Sequence, residues 1–236
     1  FRYVVAGREG LALPRGDIRL YGHVLLLGLV GLSLVALVKV RGGYPWRTLG
    51  FRCPSFPVEV AWAIGALIAI YVLQLLIGLV FAALMPPETL NHVARQRLDL
   101  TRAFKPVHPA AMVAFCLYVG FYEETVFRGF LITRLRAVIG KGSWLGAVLV
   151  SSVFFGVIHW YQGGLAMVQI SVVALVLGAV FVMRGSLVAP MVAHALFDFM
   201  GLAAFYYVLP HLNKILKLLD QEPQIHELLK ALHQTT

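Results

Sequence analysis

The chain has 236 residues, 60% of them hydrophobic and 13% charged, with a mean hydropathy of +0.82. A soluble domain carries about 25% charged residues, so the composition excludes that class and specifies an integral membrane protein. The net charge of +9 sits in short basic clusters between apolar runs, where anionic lipid headgroups meet it, and gives no reason to expect nucleic acid as a partner.

The apolar runs are long and continuous rather than alternating, which excludes a β-barrel and predicts an all-α, polytopic helical bundle. The length suits a single membrane domain over 1–236. Cys53 and Cys116 form neither a CxxC pair nor a disulfide framework. The chain opens Phe1-Arg2-Tyr3 without an initiator Met, read as a trimmed start. Residues 1–19 are basic and interfacial. The run from Tyr21 to Val40 exceeds a signal-peptide core of about 7–15 residues and is expected to be a retained span. The loop from Arg41 to Pro57 holds Tyr44, Trp46, Arg47 and Arg52, an interfacial mixture.

A second span is expected from Val58 to Leu84, stopped by Pro86 and Pro87. Residues 88–107 are polar, with interleaved Leu90, Val93, Leu98, Leu100 and Phe104. They read as a solvated connector, a loop or an interfacial amphipathic helix, with a gate as the other option.

The third apolar run, Pro109 to Val138, would extend about 45 Å as one helix against a hydrocarbon core of about 30 Å. It is therefore expected to tilt, to break near Gly120, or to project past the surface. Three further spans follow: a short one from Trp144 to His159, then Leu165 to Met183 and Leu187 to Leu209. The tail after Pro210 is expected to lie on the surface. About six spans put both termini on one side, and the basic residues lean towards cytoplasmic termini.

Chemistry concentrates over about 109–209. Gly120-Phe121-Tyr122-Glu123-Glu124-Thr125-Val126-Phe127-Arg128-Gly129 places three charges inside an apolar run, and each such charge costs about 2.5–3.5 kcal/mol on insertion scales. Phe155 and His159 form a second pair, and His194 and Asp198 a third. Each pair is spaced i,i+4, so its members share one helical face. Glu124 and Arg128 have the favoured acid-first order and are expected to pair as a structural clamp. Glu123 projects elsewhere, where a desolvated carboxylate beside a like charge suits general-base work.

Taken singly, each group has a bland reading. His159 beside Trp160 and Tyr161 reads as an interfacial histidine, and His194 with Asp198 as a pair joining two helices. Ser151 and Ser152 read as helix-interface residues. Together the ionisable groups on three successive spans point to function. There is no HExxH and no GxSxG. A zinc site from Glu123, His159, His194 and Asp198 remains a second mechanism for the same chemistry. A non-catalytic scaffold or immunity protein and a proton-coupled transporter are the readings from other classes.

The order EExxxR, FxxxH, HxxxD on consecutive spans resembles the CPBP family, the type II CAAX-prenyl-protease and bacteriocin-processing intramembrane proteases, also called Abi. The likeness covers about 112–202. It implies a glutamate-type endopeptidase with an all-α membrane fold and no resident cofactor. Carried over, Glu123 and His159 activate water, and His194 with its i+4 partner Asp198 steadies the oxyanion. Glu124, Arg128 and Phe155 support the site. The prenyl-protein member has Asn where this chain has Asp198. An ionised Asp has no N–H to donate, so either Asp198 is protonated or, the favoured reading, it hydrogen-bonds His194 and orients its N–H at the oxyanion. The expected partners are membrane lipids and a membrane-associated or lipidated peptide, in the cell (inner) membrane of a prokaryote. Phe197, Phe199, Phe205 and Tyr206 either line a lipid groove or pack.

Overall fold

A computed structural model describes residues 18–43, 45–104, 106–139, 144–208 and 211. The expectations for residues 1–17, for Tyr44 and for the tail from Leu212 lie outside those residues. Two compact units divide the chain, 1–198 and 199–236.

Seven helices make up the described part: α1 (Arg19–Gly42), α2 (Phe56–Leu84), α3 (Pro87–Ala103), α4 (Pro109–Ile139), α5 (Trp144–Ile158), α6 (Gly164–Arg184) and α7 (Val188–Val208). Five of them, α1, α2, α4, α6 and α7, are long and apolar enough to cross a membrane. At 15 residues α5 falls short of that length. The expected six apolar runs are thus five span-length helices and one short one.

Helix ends follow local chemistry. Gly43 and Gly185 adopt left-handed φ of 65° and 59° past α1 and α6, a conformation that costs a residue without Cβ least. Pro86 and Pro87 stop α2 and start α3, because proline cannot continue a helix but suits its first turn. Pro109 opens α4, where the His108 side chain accepts from Ala110 N at 3.3 Å.

The long α4 does not break at Gly120. It runs through, and Thr125–Ile132 form a π segment with wider turns. Gly120 serves packing instead, as described below. The polar connector is helical as α3 and is tied down by Arg97, whose Nη2 donates to Gln169 Oε1 on α6. Burial lowers the proton affinity of Arg97.

Helix α6 is the centre of the first unit. Its Val173, Leu177 and Val180 pack with Ala63, Ala66 and Ile70 of α2 and with Ala189 and Ala193 of α7. Its other faces meet α5 and α4 through Phe181, Val148 and Ile132, and through Ala174, Phe155 and Phe127. By contrast only 6% of the α2 span is buried, against 44% of α6, so α2 turns nearly all of its apolar surface outwards, to lipid. One ion pair fastens it: Glu59 Oε1 lies 2.9 Å from Arg184 Nη2. Phe197, one of the aromatic residues in question, packs against Tyr71 with ring centroids 5.5 Å apart. In the second unit Phe205 and Tyr206 meet edge to face at 5.0 Å.

Candidate active site

The site starts on α4. Glu124 is wholly buried and Arg128 is 1% exposed, and Nη1 of the arginine lies 3.0 Å from Oε1 of the glutamate. Nη1 is not aligned for a hydrogen bond, so the contact is one of charge. The guanidinium also lies 4.8 Å from the ring centroid of Phe155 on α5. A cation over a ring gains about 2 kcal/mol when desolvated, and here it joins two helices.

The same Glu124 Oε1 accepts a 2.7 Å hydrogen bond from His194 Nδ1 on α7. A carboxylate accepts, so Nδ1 carries the proton. Gly120 permits this meeting. A Cβ there would stand 2.9 Å from the Met191 carbonyl oxygen and 3.2 Å from the Ala195 nitrogen, so α4 and α7 touch backbone to backbone one turn before Glu124.

The other edge of the imidazole faces two more carboxylates. His194 Nε2 lies 3.7 Å from Glu123 Oε2 and 3.6 Å from Asp198 Oδ2. Both distances exceed a hydrogen bond. The expected Asp198–His194 hydrogen bond is therefore not the one that forms. Glu124 takes Nδ1, and the ring is oriented from α4 rather than from its own helix. The two glutamates, about 100° apart around α4, have different first partners, yet the His194 imidazole comes near both.

Glu123 Oε1 accepts a 2.7 Å hydrogen bond from the Tyr122 hydroxyl, a neighbour that spacing rules did not single out. Its signal was available as a polar-tipped aromatic inside an apolar run, next to the motif acid.

His159 stands just past α5. Its Nδ1 lies 2.7 Å from the Phe155 carbonyl, which only accepts, so Nδ1 donates, and in the neutral imidazole the lone pair is then on Nε2. The Phe155 ring lies 4.7 Å from the His159 ring and 6.3 Å from the His194 ring, so it neighbours both imidazoles. Among the described residues no hydrogen bond or ion pair joins His159 to Glu123. Tyr161, 5.9 Å from His159 ring to ring, has its phenol pushed up by burial, with the charges of Glu123 and Asp198 adding to the effect and the hydrogen bond from Gln162 opposing it. Ser151 donates to the Phe127 carbonyl at 3.2 Å, a helix-interface contact.

A structural or catalytic zinc takes at least three protein ligands at about 2.0–2.3 Å. Among the described residues no three His, Cys, Asp or Glu group in that way.

Residues 105–200 match the family model described as type II CAAX prenyl endopeptidase, Rce1-like. This stretch belongs to that family. The Rce1-like region takes in all three motifs, from Glu123 to Asp198, while α1 and α2 lie before it. An Escherichia coli protein described as "Uncharacterized 24.3 kDa protein" is 28% identical over 137 residues, which are 58% of this chain and 60% of that protein. The match thus spans about three fifths of the relative's length. No solved structure matches the chain.

Proposed function

We propose that this protein is an intramembrane endopeptidase in which Glu123, aided by His159, activates a water for attack on a peptide carbonyl. The observation that carries the reading is the His194 imidazole, with Nδ1 hydrogen-bonded by buried Glu124 and Nε2 turned towards Glu123 and Asp198. That arrangement pre-orients one nitrogen and leaves the other for a reacting group, in a water-poor setting where polar contacts act strongly.

The steps follow from the residues. Glu123 takes a proton from water as the oxygen attacks the carbonyl carbon. His159 Nε2, unprotonated in its tautomer, accepts a hydrogen bond from that water. With Nδ1 already donating to Glu124, His194 acts here as the imidazolium, and its Nε2–H donates to the oxyanion of the tetrahedral intermediate. The C–N bond then breaks as Glu123 returns its proton to the leaving amine. Glu124 and Arg128 hold the arrangement and take no part in proton transfer. Asp198 stays near Nε2 as a charge rather than as a hydrogen-bond partner.

The substrate class we propose is a membrane-associated or lipidated peptide, in the cell membrane of a prokaryote. The family match supports the substrate class, and the E. coli relative supports the prokaryotic setting. Glu123→Gln in proteoliposomes tests the chemistry. General-base loss predicts a rate fall of about a hundredfold or more with the unfolding temperature unchanged. Full cleavage by that variant removes Glu123 from the mechanism. A fall in stability in step with activity would favour a scaffold role.

A further inference from the structure

The first span lies outside the Rce1-like region, yet it packs against the site at one face of α4. Tyr118, Tyr122 and Val126 recur at i, i+4 and i+8 and so line up on that face. Opposite them on α1 stand Gly28 and Gly31. A Cβ on Gly28 would come 2.6 Å from the Tyr118 hydroxyl and 2.7 Å from Tyr122 Cδ1. On Gly31 it would come 3.3 Å from Val126 Cγ2. The absence of side chains at these two places lets α1 lie directly on the tyrosine rings. Tyr118 locks the contact by donating to the Leu25 carbonyl at 2.7 Å, and its ring rests on that of Tyr122 with centroids 5.4 Å apart.

Tyr122 is thus gripped from α1 and by its own helix, and its hydroxyl is aimed at Glu123 Oε1, 2.7 Å away. Hydrogen bonds to an ionised acceptor are about twice as strong as neutral ones. One oxygen of Glu123 is committed to this bond, and Oε2 is the oxygen left on the side of His194 Nε2. Without it, Glu123 would be free to turn about its side-chain torsions, since it makes no other hydrogen bond among the described residues.

We propose that Tyr122 is a positioning residue for Glu123, held in place by the close approach of the first span at Gly28. The proposal rests on Glu123 being the base. It assigns α1 a part in the site: the span presses a tyrosine ring that fixes which carboxylate oxygen faces the reacting centre. If Tyr122 merely packs, its ring suffices and its hydroxyl is dispensable.

The test uses the full chain in proteoliposomes as wild type, Tyr122→Phe, Gly28→Ala and Glu123→Gln. Turnover is read with an internally quenched, farnesylated peptide ending in a Cys-aliphatic-aliphatic-Met sequence. Infrared spectra read the Glu123 carboxylate stretch, identified as the band missing from Glu123→Gln. Tyr122→Phe keeps the ring and removes the hydroxyl, so it is expected to lower kcat about ten- to a hundredfold with KM within twofold, as loss of a bond to a charged group predicts. The Glu123 band is expected to shift. Gly28→Ala, which forces the Tyr122 ring aside with its hydroxyl intact, is expected to shift the same band and lower kcat in the same way. A band unchanged in Tyr122→Phe overturns the proposal whatever the turnover, as does wild-type kcat in that variant. If the wild type does not cleave this peptide, the infrared comparison alone decides the positioning. Full activity in Glu123→Gln refutes the base assignment and the proposal with it, and is distinguished by arising in that variant rather than in Tyr122→Phe.

Discussion

Arg128→Met tests how the buried charges hold the helices. The substitution keeps an unbranched apolar stem and removes the cation. At the 3.0 Å separation of Nη1 and Glu124 Oε1, and with an effective dielectric constant of about 20, the attraction is about 5–6 kcal/mol before desolvation is counted. Both groups are almost fully buried, so the variant leaves the glutamate's charge in the interior with only His194 Nδ1 to meet it. Removing one partner of a buried pair costs about 3–5 kcal/mol. The contact of the guanidinium with Phe155 is lost as well. The double variant Glu124→Gln/Arg128→Met removes both charges while the Gln carbonyl can still accept from His194. Replacing both charges is often near neutral, so the double variant is expected to recover most of the loss. Equilibrium unfolding in detergent by steric trapping, read as a double-mutant cycle, measures the difference. A single variant within about 1 kcal/mol of wild type, the range of an exposed pair, would refute the idea that this pair anchors the site.

Three other outcomes follow from the same geometry. Because Asp198 Oδ2 stands 3.6 Å from His194 Nε2 and Glu124 holds the ring, Asp198→Asn is expected to retain kcat within about tenfold, far less than the hundredfold or more attached to a general base; steady-state cleavage assays check this. Gly120→Ala puts a methyl 2.9 Å from the Met191 carbonyl, and overpacking of this kind costs about 1–3 kcal/mol, so unfolding measurements are expected to show that loss together with reduced turnover as His194 moves from Glu124. Exhaustive chelation, followed by metal analysis of the protein, is expected to leave cleavage intact. Loss restored by zinc would establish the metal-dependent version.

The spans were legible because hydropathy and proline placement act along the chain. Pro86 and Pro87 mark the end of α2, and the expected start of α4 at Pro109 is the observed one. The Glu124–Arg128 pair was legible because i,i+4 neighbours meet within one helix. What the chain did not disclose lies between helices. The partner of His194 is on α4 because Gly120 lets the two backbones touch, and no spacing rule reports that approach. The same holds for Glu59 and Arg184, whose ion pair joins residues 125 positions apart. Polar Gln74 and Gln169 likewise pair across α2 and α6, where the Gln74 side chain donates to the Gln169 carbonyl at 2.9 Å. The π segment escaped notice because no spacing along the chain reports it; within it Phe127 and Arg128 both reach Phe155, and Ile132 packs with Ala147 and Val148.

That π segment makes α4 two helices in phase terms. Turns closed at i+5 in place of i+4 absorb extra chain without adding a loop. The carboxylates lie before the widened turns, and Ile132, which packs on α5 and α6, lies at their end. Loss of one residue between Thr125 and Phe130 would let the helix regain regular winding with everything beyond facing much as before, because the wide turns take up about one extra residue. Glu123 and Glu124 would keep their setting and Ile132 its core, whereas the same loss in a regular turn would rotate everything beyond by about 100°. Those turns therefore tolerate a change in chain length that the regular part of α4 does not, and a related sequence one residue shorter there should be aligned through the motif with a gap.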